Sequence, residues 1–220
     1  MRIYWAILSK DLRTELRTRQ TLASTFVFAL LMLLVFNFSF ELRGADLVTL
    51  TPGVLWATFI FSGILALGRA FASERDNNAI EALALAPIDR GTIFLAKWTL
   101  SLILMLVVEL IALLIFAAIF DMSAISPLIL LDLLLGSAGF AAIGTALSVV
   151  AFNSRARDVM LPVLLLPLTV PVIIGAVRVT ALVLSGDAHG ELLGWFNLLA
   201  AFDVLFLAVC YYCFGFLLEE

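Results

Sequence analysis

The chain has 220 residues, of which 64% are hydrophobic and 14% charged, and its mean hydropathy is +1.15. Soluble domains hold about 45–50% apolar and about 25% charged residues, so a soluble globular fold is excluded and the chain is an integral membrane protein. The net charge of −4 says little, because in such a protein the placement of Lys and Arg matters more than their sum.

In chain order, IYWAILSKDLRTELRTRQ reads as an amphipathic helix over residues 1–20. Trp5, Leu8, Leu12 and Leu16 gather within about 80° of its wheel, and Lys10, Arg13 and Arg17 lie opposite. A basic face, an apolar stripe and a tryptophan suit a helix lying in the membrane interface. A charged leader that sets topology is compatible with the same residues. No cleavable signal peptide is expected, because the first apolar run follows a charge-rich stretch and is long enough to span.

Six apolar runs follow, at 21–40, 53–72, 98–120, 127–151, 159–183 and 196–217. Backbone groups in lipid must bond internally, and the runs are too long for barrel strands, so each predicts a spanning helix. The expected fold is an all-α integral membrane protein: six transmembrane helices forming one domain over 21–220, preceded by the interfacial helix. The connections sort by charge. Arg2, Lys10, Arg13, Arg17, Arg19, Arg69, Arg75, Arg90, Lys97, Arg155 and Arg157 fall on one side, leaving Arg43 and Arg178 on the other. The positive-inside rule puts the first side, both termini and the Glu219–Glu220 tail in the cytoplasm.

Between the second and third runs lies SERDNNAIEALALAP, Ser73 to Pro87. Ser73-x-x-Asp76 has the form of a capping box, and Glu74 and Asp76 would favour the dipole of a helix starting there. Pro87 would end it, predicting a short cytoplasmic helix over about 74–86 with Ile80 and Leu83 adjacent on one face. Such a helix is too short to stand alone, so something must pack on it. A solvated loop would not need Leu83, Leu85 and Ile88.

No GxxxxGK[ST] run or Gly-x-Ser-x-Gly elbow occurs, and His189 is the one histidine. The chain is therefore not expected to be an enzyme or to hold a metal, and any ATP would be bound by another subunit. Glu109, near the middle of the third run, is a functional candidate by default, or a carboxyl bonded to a neighbouring helix. Asp132, Arg178 and Asp203 fall at similar depth, and an ion pair of Arg178 with either acid would tie three spans together. Pro162, Pro167 and Pro171 predict a bent or locally unwound fifth span. Ala138, Ala142 and Ala146, with Ser137, Ala141 and Thr145, would let helices approach closely, within the bundle or between protomers. Cys210 and Cys213 sit inside an apolar span and read as inert packing, and His189 as a solvated loop residue or, less simply, a haem ligand. Trp5, Trp56, Trp98 and Trp195 read as interface anchors.

SERDNNAIEALALAPIDRGTIFLAKW resembles the loop after the second span of ABC-2-type transporter permeases, with Glu74, Arg75, Glu81, Leu83, Pro87 and Lys97 matching; Asn78 departs from the Gly often found there. LRTELRTRQTLASTFVFALLMLLVFNFSFE and LWATFIFSGILALGRAFASERDN look like the first two spans of one subfamily, haem exporter protein B (CcmB) of system I cytochrome c maturation. The resemblance implies that 74–86 is a coupling helix docking on an ATP-binding subunit through Glu74, Arg75, Asp76, Ile80, Glu81, Leu83 and Pro87. Arg13, Arg17, Arg155 and Arg157 are candidates for the rest of the cytoplasmic interface. The implied partners are that ATP-binding subunit (CcmA-like), a haem-handling membrane protein (CcmC-like) and a small membrane subunit (CcmD-like), in a bacterial inner membrane. A homodimer is compatible, and no nucleic acid is implied. ATP hydrolysis by the partner would drive haem export or release of a haem-loaded chaperone. Haem would be cargo and not a cofactor of this chain. Another cargo (drug, lipid or polysaccharide) or a non-transporting scaffold role are the alternatives.

Overall fold

A backbone that finds no water must bond to itself, and the described residues of the computed structural model are helical almost throughout. Those residues are 2–40, 45–76, 88–120, 126–152, 157–186 and 190–217. Among them the helices are α1 (Arg2–Thr18), α2 (Gln20–Phe40), α3 (Ala45–Asp76), α4 (Arg90–Phe120), α5 (Pro127–Phe152), α6 (Arg157–Ser185) and α7 (Leu192–Leu217). The last six are long and apolar enough to cross a membrane, as the six runs predicted.

The boundaries differ from the apolar runs where polar residues do helical work. α4 begins well before residue 98, because Asp89 caps it: Thr92 donates from its backbone N at 2.9 Å and from Oγ1 at 3.1 Å to Asp89 Oδ2. α3 begins at Ala45, runs through Pro52 and continues to Asp76. Ser73 to Asp76, expected to cap a separate helix, instead lie in the last turns of α3. Lengthening a formed helix adds one bond per residue, whereas a new helix must first be nucleated. Residues 77–87, with Ile80, Glu81, Leu83 and Pro87, lie outside the described residues. α6 is helical without interruption through Pro162, Pro167 and Pro171, so the expected local unwinding does not occur. It packs on α3, α5 and α7, which hold it where three prolines weaken its ladder.

α5 is the centre of the bundle and touches α3, α4, α6 and α7. Its small residues, Ser137, Ala138, Ala141, Ala142, Thr145 and Ala146, are all buried, and both expected small-residue rows face protein within the bundle. Along α5, close approach is most severe at three glycines. A Cβ at Gly136 would strike the Trp56 ring, one at Gly139 the Asp203 carboxylate and one at Gly144 the Leu67 side chain. Phe59, Phe94, Phe116 and Phe214 fill the space between the helices. α2 and α7 bury the smallest share of their spans and form the outside.

Replacing Gly136 by Val should cost about 1–3 kcal/mol through overpacking against Trp56. Gly68, also helical but with open space where a Cβ would stand, should accept Ala with no loss. Thermal unfolding of both variants in detergent checks this, and equal midpoints would mean that α5 and α3 are less tightly apposed.

Candidate functional site

The first polar assembly joins α1 to the start of α4. Tyr4, Leu8, Asp11 and Glu15 recur at helical spacing and share a face of α1. The Tyr4 hydroxyl donates to Thr99 Oγ1 at 2.9 Å, and Leu8 packs with Leu100 and Leu104. Lys97 Nζ meets Asp11 Oδ2 at 2.7 Å, with the two side chains only 3% and 8% exposed. Lys10, on the open side, reaches Asp11 Oδ1 at 2.9 Å. Glu15 Oε1 accepts from the backbone N of Thr21 at 2.9 Å and of Leu22 at 3.1 Å, capping α2. The packed face is thus rotated from the stripe expected. Ile7, Leu8 and Asp11 are buried, while Trp5 and Leu16 remain exposed beside them. Arg13 and Arg17 are exposed, as their wheel position requires.

The residues expected to couple to an ATP-binding subunit are mostly beyond view. Glu74, Arg75 and Asp76 belong to the last turn of α3, and Arg157 is the first residue of α6. Ile80, Glu81, Leu83, Pro87 and Arg155 lie outside the described residues, as does His189. The chain re-enters the described structure at Ile88 and Asp89. There Asp89 Oδ2 caps α4 and also accepts from Tyr211 Oη of α7 at 3.5 Å.

The second assembly is a row of buried carboxyls around α5. Glu109 of α4, Asp132 of α5 and Asp203 of α7 are 1%, 0% and 6% exposed, so all three face protein. Ser137 Oγ donates to Glu109 Oε2 at 2.6 Å. Trp56 Nε1 donates to Thr180 Oγ1 at 2.9 Å, and Thr180 Oγ1 donates to Asp132 Oδ2 at 2.7 Å, linking α3, α6 and α5. Asp203 lies against Gly139, and among the described residues neither of its oxygens has a well-formed hydrogen bond. Glu109 Oε1 and Asp132 Oδ1 likewise lack one among the described residues. Positions 132, 137 and 139 of α5 span about 10 Å of helix rise, so the three acids meet it in its first half. A cavity of about 10 Å³ beside Glu109, bounded by Trp56, Met105, Gly136 and Ser137, has room for roughly one water.

Two expectations fail here. Arg178 forms no ion pair with Asp132 or Asp203 and is exposed. Residues two apart on a helix point about 200° away from each other; since Thr180 faces Asp132, Arg178 faces outward. Trp56 is 4% exposed and is an interior hydrogen-bond donor, not an interface anchor. Trp98 is half-buried and donates to the Ala138 carbonyl at 3.0 Å. Cys210 is buried, Cys213 exposed, and both are free thiols.

Asp11 and Thr180 were not singled out from the sequence, and Ser137 was read only as a small residue allowing close approach, not as a hydrogen-bond donor. For Asp11 a signal existed: an acid on the same helical face as Tyr4 and Leu8, with an isolated Lys97 opening an apolar run. Removing one partner of a buried ion pair costs far more than the intact pair contributes. Lys97→Met should therefore destabilise the protein by about 3 kcal/mol, and adding Asp11→Leu should recover much of that loss. Unfolding midpoints of the single and double variants in detergent check the coupling; additive losses would mean that the two residues act independently.

Comparison with known proteins identifies a family over nearly the whole chain. The family described as CcmB protein matches residues 2–219. Heme exporter protein B of Rhodobacter capsulatus is 30% identical over 175 residues, covering 77% of this chain and 78% of that protein. The protein of the same name from Pseudomonas aeruginosa is 27% identical over 195 residues, 85% of this chain and 86% of its own length. That from Paracoccus denitrificans is 29% identical over 174 residues, 77% and 78% of the two chains. A match that runs from the start of α1 to beyond the end of α7 takes in every helix described above, and the chain belongs to the CcmB protein family.

Proposed function

We propose that the chain is the transmembrane permease subunit of an ABC-type complex in cytochrome c biogenesis. In this reading ATP is hydrolysed by a separate, CcmA-like subunit, and the permease couples that hydrolysis to haem export or to release of a haem-loaded chaperone. CcmC-like and CcmD-like membrane subunits complete the complex in a bacterial inner membrane. Relatives named heme exporter protein B support the cargo, and the asymmetry of Lys and Arg supports a cytoplasmic location for α1 and the 77–87 segment. Trp5 and Leu16, exposed beside the packed face of α1, then lie toward the membrane surface, with Arg13 and Arg17 toward water.

The observation that carries the coupling is the buried Asp11–Lys97 pair. It sits two turns into α4, just after the segment on which the ATP-binding subunit would dock. A force applied to 77–87 reaches the end of α3 and the capped start of α4 directly. α4 passes it to α1 through Lys97 and to α7 through Asp89 and Tyr211. The chain itself contributes no catalytic group; its part is mechanical.

Charge reversal by Glu74→Lys or Arg75→Glu should lower recovery of the ATP-binding subunit in detergent pull-downs about tenfold, the scale of one lost interfacial charge pair. The same variants should uncouple ATPase activity from the membrane subunits. Unchanged recovery together with unchanged ATPase activity would sink the coupling role.

A further inference from the structure

α1 and α2 are joined by one residue, Arg19, which is helical in neither. Its φ is +53°, a left-handed conformation that Gly or Asn adopts at less cost than Arg. The elbow is nevertheless firmly held. Arg19 N donates to the Glu15 carbonyl at 2.6 Å, Ala23 N donates to the Arg19 carbonyl at 2.9 Å, and the Glu15 carboxylate occupies the first free amides of α2. A bulky cation in a strained and rigid position points to a use for its guanidinium.

Beneath the elbow a groove of about 830 Å³ runs between α2 and α3. Arg19 and Arg69 line it at the end carrying α1, and Val27, Phe28, Leu31 and Leu65 continue it as an apolar wall toward the middle of the spans. Both arginines are exposed, neither forms an ion pair among the described residues, and no acid is among the lining side chains. An apolar wall alone is what any lipid-facing helix shows. The distinguishing feature is that this one leads to two cations with no counter-charge among the described residues, at the level where spans meet headgroups.

We propose that this groove is a binding site for one anionic phospholipid, its phosphate held by Arg19 and Arg69 and an acyl chain lying along Val27, Phe28 and Leu31. Guanidinium groups match phosphate oxygens in charge and in the geometry of their donors. Basic pockets between spanning helices hold anionic headgroups in the same way. The site requires the α1–α2 elbow to lie at the membrane surface and is independent of which subunit hydrolyses ATP. Its occupant would fasten the α1–α2 elbow to α3, a tie separate from the Asp11–Lys97 pair that fastens α1 to α4.

Native mass spectrometry of the purified full chain, titrated with dioleoyl phosphatidylglycerol or dioleoyl phosphatidylcholine, tests the site. Wild type should retain phosphatidylglycerol more tightly than phosphatidylcholine. Arg19→Gln and Arg69→Gln should each weaken phosphatidylglycerol about fivefold and leave phosphatidylcholine unchanged. Leu31→Trp, which fills the wall, should weaken both lipids, and Arg2→Gln, an exposed cation off the groove, should weaken neither. Equal affinity for the two lipids in wild type, or arginine variants that bind as wild type does, would overturn the proposal. Displacement of phosphatidylglycerol by millimolar inorganic phosphate would reassign the site to the free anion. A Leu31→Trp variant that changes oligomeric state but not lipid binding would give the groove to a second copy of the chain. Arg69 lies on an exposed face of α3 and is not part of the strained backbone at Arg19, so its variant reads the site even if Arg19→Gln disturbs folding.

Discussion

Lipid tails are as apolar as leucine, so once these helices are in the membrane no hydrophobic effect pushes them together. What holds the bundle is how closely α5 lets its neighbours approach. Gly136 and Gly144 receive Trp56 and Leu67 of α3, and Gly139 receives Asp203 of α7, where any side chain would block them. The alanines between them keep the same surface low. Contacts at this range gain dispersion energy that a bulkier helix would forfeit. They also bring polar side chains near enough to bond: Ser137 reaches Glu109, and Asp132 reaches Thr180, because nothing larger stands between the helices.

The two ends of α4 are fastened by different chemistry. At its start, charge and capping dominate: Asp89 holds the first turn, and Lys97 pairs with Asp11 in a site nearly closed to solvent. An ion pair so buried is a poor source of net stability, since desolvation offsets most of the attraction. It is a strict setter of register, because sliding α1 by one residue would part Lys97 from Asp11 in a site with little water to replace either. Further along, α4 is fastened to α5 by neutral donors, Trp98 on the Ala138 carbonyl and Ser137 on the Glu109 carboxyl, set in a largely apolar contact.

The spans were legible because length and apolarity are properties of one dimension. Their ends were less so. Asp89 and Thr92 mark the start of α4 as plainly as a cap can, but they precede a lysine that breaks the apolar run and so hid the helix behind it. Ser73 and Asp76 fit the pattern of a helix start and are equally acceptable near the end of a longer helix, which local pattern alone cannot separate. The polar partners required three dimensions. Depth along the spans matched Arg178 to the acids, but azimuth did not, and Thr180 holds the position that Arg178 was expected to fill. Trp56 and Thr180 are 124 residues apart, and no spacing rule joins them.

Lys97 and Glu109 are on one helix, twelve residues and so about 18 Å apart. Over that distance a packed helix is stiff along its axis, and a slide imposed at one end arrives at the other almost undiminished. An axial slide of about one residue's rise, roughly 1.5 Å, taken across the 2.6 Å Ser137–Glu109 bond would stretch it to about 3.0 Å, the long end of the range for such a bond. α4 therefore has the mechanics of a pushrod that carries a short, tight bond partway along its length. A displacement too small to alter the outline of the bundle is enough to weaken the hold on a buried carboxyl at its centre.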